Sequence, residues 1–274
     1  MSEDHGQEPG HGSNSHGPGG ERPGGGPLTL GLDIGGTGLK ASVLDAAGAM
    51  VAERVREDTP YPLRPEQLVE ELAHLADELP RADRASAGFP GMVRQGVVLS
   101  APHFVRTGGP GTPVDPDLAR AWDRFDLAQA LAKRLGVPTK VANDADVQGA
   151  AVVRGQGLEL VVTLGTGFGT ALFFEGRLLP HLEVAQIPFR KGETYTEHLG
   201  EHAREAIGTK KWRKRVRKAL AAMRTLTLFD HCYVGGGNAA HLEEGDLGPD
   251  VTLVDNSAGI TGGVRLWEAD HLGL

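Results

Sequence analysis

Apolar positions along the chain follow two periods. From Leu28 the run LTLGLDIGGTGLKASVLD carries an apolar strand into a glycine turn and out into a second strand; Val51, Glu53 and Val55 then alternate at strand spacing. The order strand, glycine turn, strand, turn, strand predicts an antiparallel meander. A second copy, LELVVTLGTGFGTALFFEGRLLP from Leu158 to Pro180, repeats that order and implies two related halves. Helical spacing governs PEQLVEELAHLADELP and FDLAQALAKRLG, whereas SAGFPGMVRQGVVLSAP predicts a strand, a Pro-Gly turn and a strand pair. VPTKVAN is a strand leading into the helix DADVQGAAVVRG. CYVGGGNAAHL predicts a strand, a glycine turn and a helix. VTLVD is a last short strand before NSAGITGGVRLWEAD, a helix of small residues suited to close packing.

The first glycine turn also fits a dinucleotide-binding fingerprint by count. Gly36-Thr37-Gly38-Leu39-Lys40-Ala41 matches G-x-G-x-x-A, and Asp58 follows about twenty positions later. That fingerprint requires a helix of ten or more residues after the glycines. KASVLD is too short and is interrupted by AAGA, so a strand follows and the dinucleotide reading fails.

Composition narrows the class. The first 27 residues, rich in glycine, proline and histidine, have no apolar periodicity, so a disordered tail is expected; His5, His11 and His16 within it are read as solvated. No signal-peptide stretch and no run of eighteen apolar residues occurs, and Cys232 is the only cysteine, which excludes an internal disulfide and a cysteine-cluster zinc site. A cytoplasmic protein with no membrane partner is expected. The net charge of −8 argues against general nucleic-acid affinity while leaving room for a local basic patch.

Three glycine turns follow apolar strands: Gly35-Gly36-Thr37-Gly38, Gly165-Thr166-Gly167-Phe168-Gly169 and Gly235-Gly236-Gly237. Glycine lets backbone N–H groups approach a phosphate, and threonine adds a hydroxyl donor; a tight hairpin explains any one turn alone. Asp33 precedes the first turn at the end of an apolar strand, where a Mg²⁺ bound to phosphate, or turn amides, would compensate its charge. Lys40 either supplies positive charge to a phosphate or extends to solvent. In VANDADVQG, Asn143 and Asp144 stand where a strand passes into a helix. A carboxylate in a first helical turn is expected to stay ionised, and could accept a hydroxyl proton; both residues are also ordinary helix caps.

TKKWRKRVRKALAAM holds seven Lys or Arg residues between positions 210 and 218, with Trp212, Val216, Leu220 and Met223 at core-facing helical spacing. The basic residues Lys210, Lys211, Arg213, Lys214 and Arg217 form either a solvated face or a path for a long polyanion. HLGEH, His198 to His202, matches a zinc-protease pattern but lacks a third ligand, and TYTEHLGEHAREAIG reads as an ordinary polar helix.

DIGGTGLK, NDAD, LGTGFGT, VGGGN and NSAGITGG stand in the order and spacing of the ROK sugar kinases, and the chain resembles their polyphosphate-glucokinase branch from Leu28 onward. The resemblance implies an α/β, actin-like (ribonuclease-H-like) fold, two duplicated domains around a central cleft. The expected division is residues 28–142 and 143–274, with the last helix packing back on the first domain. It implies a Mg²⁺-dependent phosphotransferase, with ATP or inorganic polyphosphate as donor and a hexose as acceptor, most simply glucose at its 6-hydroxyl, and a homodimer. Asp33 would organise Mg²⁺, through water. Gly35, Gly36, Thr37 and Lys40 would meet one phosphate, Gly165, Thr166 and Gly167 a second, and Gly235 and Gly236 would flank a nucleotide. Asp144 would be the base, and Asn143, Glu183, Gln186, His103 and Gly91 would line the sugar site. The chain departs from its relatives where Ala185 and Gln186 replace the Gly-His of Glu-x-Gly-His, where His103 replaces Asn after Ala-Pro, and in the added stretch RTGGPGTPVDPD. These departures motivate an alternative, a sugar- or nucleotide-binding regulator that has lost catalysis; with no helix-turn-helix ahead of the fold, DNA is not an expected partner.

Overall fold

The computed structural model describes residues 25–254 and 258–268; positions 1–24, with His5, His11 and His16, and Asn256 and Ser257 of NSAGITGG lie outside the described residues. Two five-stranded sheets carry the fold. In the first, β1 (Thr29–Ile34), β2 (Leu39–Leu44) and β3 (Val55–Glu57) form the expected antiparallel meander. Helix α1 (Pro65–Asp77) follows, then β4 (Arg84–Phe89), the small hairpin β5 (Val93–Arg94) and β6 (Val97–Val98), α2 (Pro116–Trp122), α3 (Leu127–Leu135) and β7 (Thr139–Asn143). Strand order is β3-β2-β1-β4-β7, with β1, β4 and β7 parallel.

Helix α4 (Asp144–Val152) leads to the second sheet, built from β8 (Leu158–Leu164), β9 (Phe168–Phe174) and β10 (Arg177–Leu178). Next come β11 (Pro188–Arg190), β12 (Glu193–Thr194), α5 (Tyr195–Leu199), α6 (Glu201–Ile207), α7 (Thr209–Thr227), β13 (His231–Gly235), β14 (Val251–Leu253) and α8 (Ala258–Thr261). The order β10-β9-β8-β13-β14 repeats that of the first sheet: an antiparallel meander extended by two parallel strands. This is the duplicated actin-like α/β architecture.

Local chemistry accounts for the elements. Pro65 opens α1 at its first turn, where its missing N–H costs nothing, and Leu68, Val69, Leu72 and Leu75 bury one stripe against the sheet. Asp126 caps α3 by accepting from the Gln129 amide, and Gly136 closes it in the left-handed region. In the core Trp122 packs on Phe89 and Phe104 at centroid distances of 5.5 and 5.3 Å, and its Nε1 donates to the Leu63 carbonyl. Such ring pairs add about 1 kcal/mol each beyond the area they bury.

Three expectations are corrected. Among its described residues the closing NSAGITGGVRLWEAD stretch is α-helical over Ala258–Thr261 and then turns, with a 3-10 turn at Arg265–Trp267. The helix ends beside a close backbone contact: a Cβ on Gly262 would stand 1.8 Å from the Val147 carbonyl oxygen, so only glycine fits there. Its Ile260 reaches across to the first sheet, against Gly31 and Leu44. Second, CYVGGGNAAHL ends in a 3-10 turn, Gly237–His241, and not an α-helix. Third, TYTEHLGEHAREAIG is two helices broken at Gly200, where a Cβ would meet the Thr166 carbonyl oxygen at 2.2 Å.

Candidate active site

The parallel strands of each sheet end on one edge. Asp33 pairs with Gly88 in register, Phe89 with Asn143, and Thr163 with Gly235, so the three glycine turns and the start of α4 gather at the carboxyl ends of β1, β4, β7, β8 and β13. Ligand sites in α/β sheets occupy this edge. The first turn of α4 spans both halves there, since a Cβ on Gly169 of β9 would lie 3.1 Å from the Ala145 Cβ.

Asn143 is the N-cap of α4. Its Oδ1 accepts from the Ala145 amide at 2.8 Å and its Nδ2 donates to the Gly91 carbonyl at 2.9 Å, leaving one amide proton and one lone pair for a ligand. Gly91 holds its place for packing, because a Cβ there would stand 2.2 Å from the Ser100 carbonyl oxygen. Asp144 opens the helix, with Oδ1 accepting from the Ala145 amide at 2.9 Å. The expectation that the helix start keeps it ionised is overturned. Burial and the nearby Asp33 charge outweigh that amide and push the Asp144 carboxyl up to about 7.

The first glycine turn is closed by the Gly35 amide donating to the Gly38 carbonyl at 3.0 Å. Thr59 Oγ1 donates to the Gly35 carbonyl and Tyr61 Oη to that of Gly36, and Thr37 is exposed at the tip. Lys40 neither extends to solvent nor stands free: its Nζ meets Asp33 Oδ2 at 2.7 Å across the β1–β2 pair. His103 packs on this turn, with Pro110 of the added stretch beside it; a Cβ on Gly36 would lie 3.2 and 3.3 Å from their Cγ atoms. Burial, then the Arg106 charge, hold the His103 imidazole below its ordinary value. His103, which stands where relatives carry Asn, thus lies against the first glycine turn.

In the second turn the Gly165 amide donates to the Gly167 carbonyl at 3.2 Å, while a Cβ on Gly165 would meet open space. The Gly165 carbonyl accepts from the Glu201 amide and from Asn238 Nδ2, and Arg204 Nε in turn donates to Asn238 Oδ1. Asn238 therefore ties the third glycine turn to the second, a part the sequence showed only as the final residue of VGGGN. Gly236 has φ +86° and lies against the Leu164 backbone; Gly235 abuts Val254. Packing accounts for these two glycines.

Glu183 borders a cavity of about 220 Å³ between β5–β6 and the segment after β10, whose wall also includes Met92, Arg94, Asp146 and His181. Gln186 is exposed and Ala185 buried, and neither lines that cavity. Asp146 and His181 were not singled out from the sequence. The His-x-Glu spacing in HLE, beside the second carboxylate of NDAD, was the available signal.

On α7, Trp212, Val216, Leu220 and Met223 are buried as expected. Arg213 pairs with Glu243 and Arg217 with Asp246, so the two arginines among the five expected path residues are neutralised locally; Lys210, Lys211, Lys214 and also Lys218 are exposed. His198 is buried with Nε2 on the Arg190 carbonyl while His202 is exposed, and no group of three or more His, Cys, Asp or Glu among the described residues is placed to hold a metal. Also among the described residues, no helix is long and apolar enough to cross a membrane. A Mg²⁺ that arrives with phosphate fits this donor set: it keeps most of its waters and needs only one or two carboxylates, and Asp33 has one oxygen outside its Lys40 pair.

A model of the ROK family matches residues 29–180. Polyphosphate glucokinase of Mycobacterium tuberculosis (strain CDC 1551 / Oshkosh) is 25% identical over 261 residues, spanning 88% of this chain and 91% of the relative. The inorganic polyphosphate/ATP-glucomannokinase of Arthrobacter sp. strain KM superposes with a TM-score of 0.71 at 28% identity, over 89% of this chain and 100% of that one. A ROK family glucokinase from Streptomyces griseus, solved with glucose and AMPPNP, shares the fold at 19% identity and a TM-score of 0.67, over 87% and 98% of the two chains. With the family pattern covering more than half of its length and the duplicated sheets in place, the chain belongs to the ROK family.

Proposed function

We propose that the protein is a sugar kinase, transferring a phosphoryl group from polyphosphate or ATP to a hexose hydroxyl, with glucose converted to glucose 6-phosphate as the first substrate to test. The observation that carries this is Asp144: a carboxyl at the start of α4, among the glycine turns, raised to about 7 by burial and Asp33. A base acts best when its pKa lies near the working pH. In the proposed reaction Asp144 takes the proton of the attacking hydroxyl. The hydroxyl oxygen forms the new P–O bond as the bridging P–O bond of the donor breaks, its electron pair leaving with the shortened phosphate chain.

Phosphate would sit on the two glycine turns at the amides of Gly36, Thr37, Thr166 and Gly167, while the Gly35 and Gly165 amides close the turns that present them. Mg²⁺, when bound near Asp33 with the donor, supplies charge neutralisation. Asn143 and Glu183 are proposed to orient the sugar. The M. tuberculosis and Arthrobacter relatives support polyphosphate as a donor, and so does the row of exposed lysines on α7. Retention of Asp144 disfavours the regulator reading. Measuring hexose phosphate formation over a sugar panel, with ATP and with polyphosphate, tests the proposal; no product with any pair overturns it.

A further inference from the structure

His181 lies between two carboxylates at the wall of the cavity. Its Nδ1 donates to Asp146 Oδ1 at 3.1 Å, and its Nε2 stands 3.5 Å from Glu183 Oε2. The three side chains are 10%, 4% and 21% exposed, so water screens this arrangement poorly. Glu183 precedes the 3-10 turn Val184–Gln186 without capping it, and no other described side chain holds its carboxylate. Left alone, that carboxylate would sample several rotamers at the mouth of the site.

We propose that His181 is a positioning residue for Glu183, and through it for the bound hexose, an inference that rests on the sugar-kinase reading above. Asp146 fixes the plane of the ring, so that Nε2 presents its proton toward Glu183. Asp146 is also two residues along α4 from Asp144, which couples the helix carrying the base to the segment carrying Glu183. The clamp stands where the chain has no Gly-His: Ala185 offers no polar side chain, and Gln186 is exposed and does not line the cavity. Two carboxylates sharing a buried wall repel, and burial raises the Asp146 carboxyl; the His181 cation between them works against both effects. Burial alone would lower the His181 pKa, yet Asp146 and Glu183 together push it up to about 10, which keeps the imidazolium through the neutral range. Asp144 and Arg94 are the other charged groups nearby.

The test uses His181→Asn, His181→Ala, Glu183→Gln and the double variant His181→Asn/Glu183→Gln. Asparagine keeps a donor for Asp146, which preserves the fold, but has nothing to offer Glu183. We expect His181→Asn to raise the hexose KM about ten-fold with kcat within about three-fold, and Glu183→Gln to do the same. The double variant should be no worse than the worse single, since one contact is lost in all three. A hexose KM within two-fold of wild type in folded His181→Asn, or fold-changes that multiply in the double variant, overturns the proposal. A wild type inactive on every hexose defeats the kinase reading instead. Nitrogen NMR of the imidazoles then still decides about the clamp, with His181 assigned by its loss in His181→Asn. Both ring nitrogens protonated at pH 8 in wild type, with deprotonation moving to lower pH in Glu183→Gln, support it; a neutral His181 ring at pH 8 rejects it.

Discussion

Asn143 and Gly91 hold each other: the Asn143 amide donates to the Gly91 carbonyl at 2.9 Å while its Oδ1 caps α4. One side chain thus fixes both the Pro-Gly turn after β4 and the start of the helix that carries Asp144. Asn143→Ala removes a cap and leaves the buried Gly91 carbonyl without that donor, and should destabilise by about 1–3 kcal/mol. Asn143→Asp keeps the cap acceptor but loses the donor and adds charge beside Asp144. Its melting temperature should fall less than that of the alanine variant while kcat falls at least as far. Thermal melts and steady-state kinetics on both variants check this.

Ionised Asp144 opposes stability, as a base tuned by burial would. Its carboxyl is raised from 3.8 to about 7, so the folded chain holds that proton more tightly than the unfolded chain. The associated stabilisation is fully present below pH 3.8 and is lost as pH rises through 7. In metal-free buffer at pH 8, Asp144→Asn should therefore melt several degrees above wild type, with the gap closing toward pH 4. The same variant should lose phosphoryl transfer by at least about a thousand-fold. In wild type, kcat/KM should rise with pH through a limb near 7, or below it if Mg²⁺ binds at Asp33 as proposed and relieves that repulsion. Equal melting temperatures at pH 8 would remove the basis for Asp144 as a tuned base.

Much of this architecture was legible in the sequence. The two meanders declared themselves because glycine turns flank runs too short for a Rossmann helix, and β1–β2 and β8–β9 pair as that order requires. Strand-to-helix context marked Asp144 as either a cap or a base, and only the resemblance to the ROK kinases favoured the base. Its protonation state was not, because burial and the approach of Asp33 are properties of the assembled edge. His181 and Asp146 escaped for a similar reason: 35 positions apart, they meet only when β8–β10 fold back on α4. Local pattern likewise overextended the last helix past Thr261, and could not show that Gly262 packs on the Val147 backbone.

Glycines that look alike in sequence should differ sharply when substituted. A Cβ on Gly91 would stand 2.2 Å from the Ser100 backbone oxygen, which cannot move without disturbing β5–β6. Gly91→Ala should cost more than about 3 kcal/mol or prevent folding. On Gly36 the Cβ meets the His103 and Pro110 side chains at 3.2 and 3.3 Å, and Pro110 belongs to an exposed loop. Gly36→Ala should stay folded and instead raise the KM for the phosphoryl donor, with the hexose KM little changed. Melting curves together with both KM values distinguish the two glycines.

The basic helix offers the sharpest separation of donors. Arg213 and Arg217 are paired with Glu243 and Asp246, whereas Lys210, Lys211, Lys214 and Lys218 are exposed along α7. Replacing these four lysines by glutamine removes charge from a solvated face and should change stability by less than about 1 kcal/mol. A long polyanion depends on summed charge, so the KM for polyphosphate should rise several-fold and its salt dependence should flatten. On the proposed reading ATP would engage only the glycine turns at the sheet edge, so its KM should stay within about two-fold. Arg213→Gln and Arg217→Gln, by contrast, should act on the docking of the 241–246 segment, lowering the melting temperature without separating the two donors. If the lysine variant weakened ATP and polyphosphate equally, α7 would be a solvated face and no path.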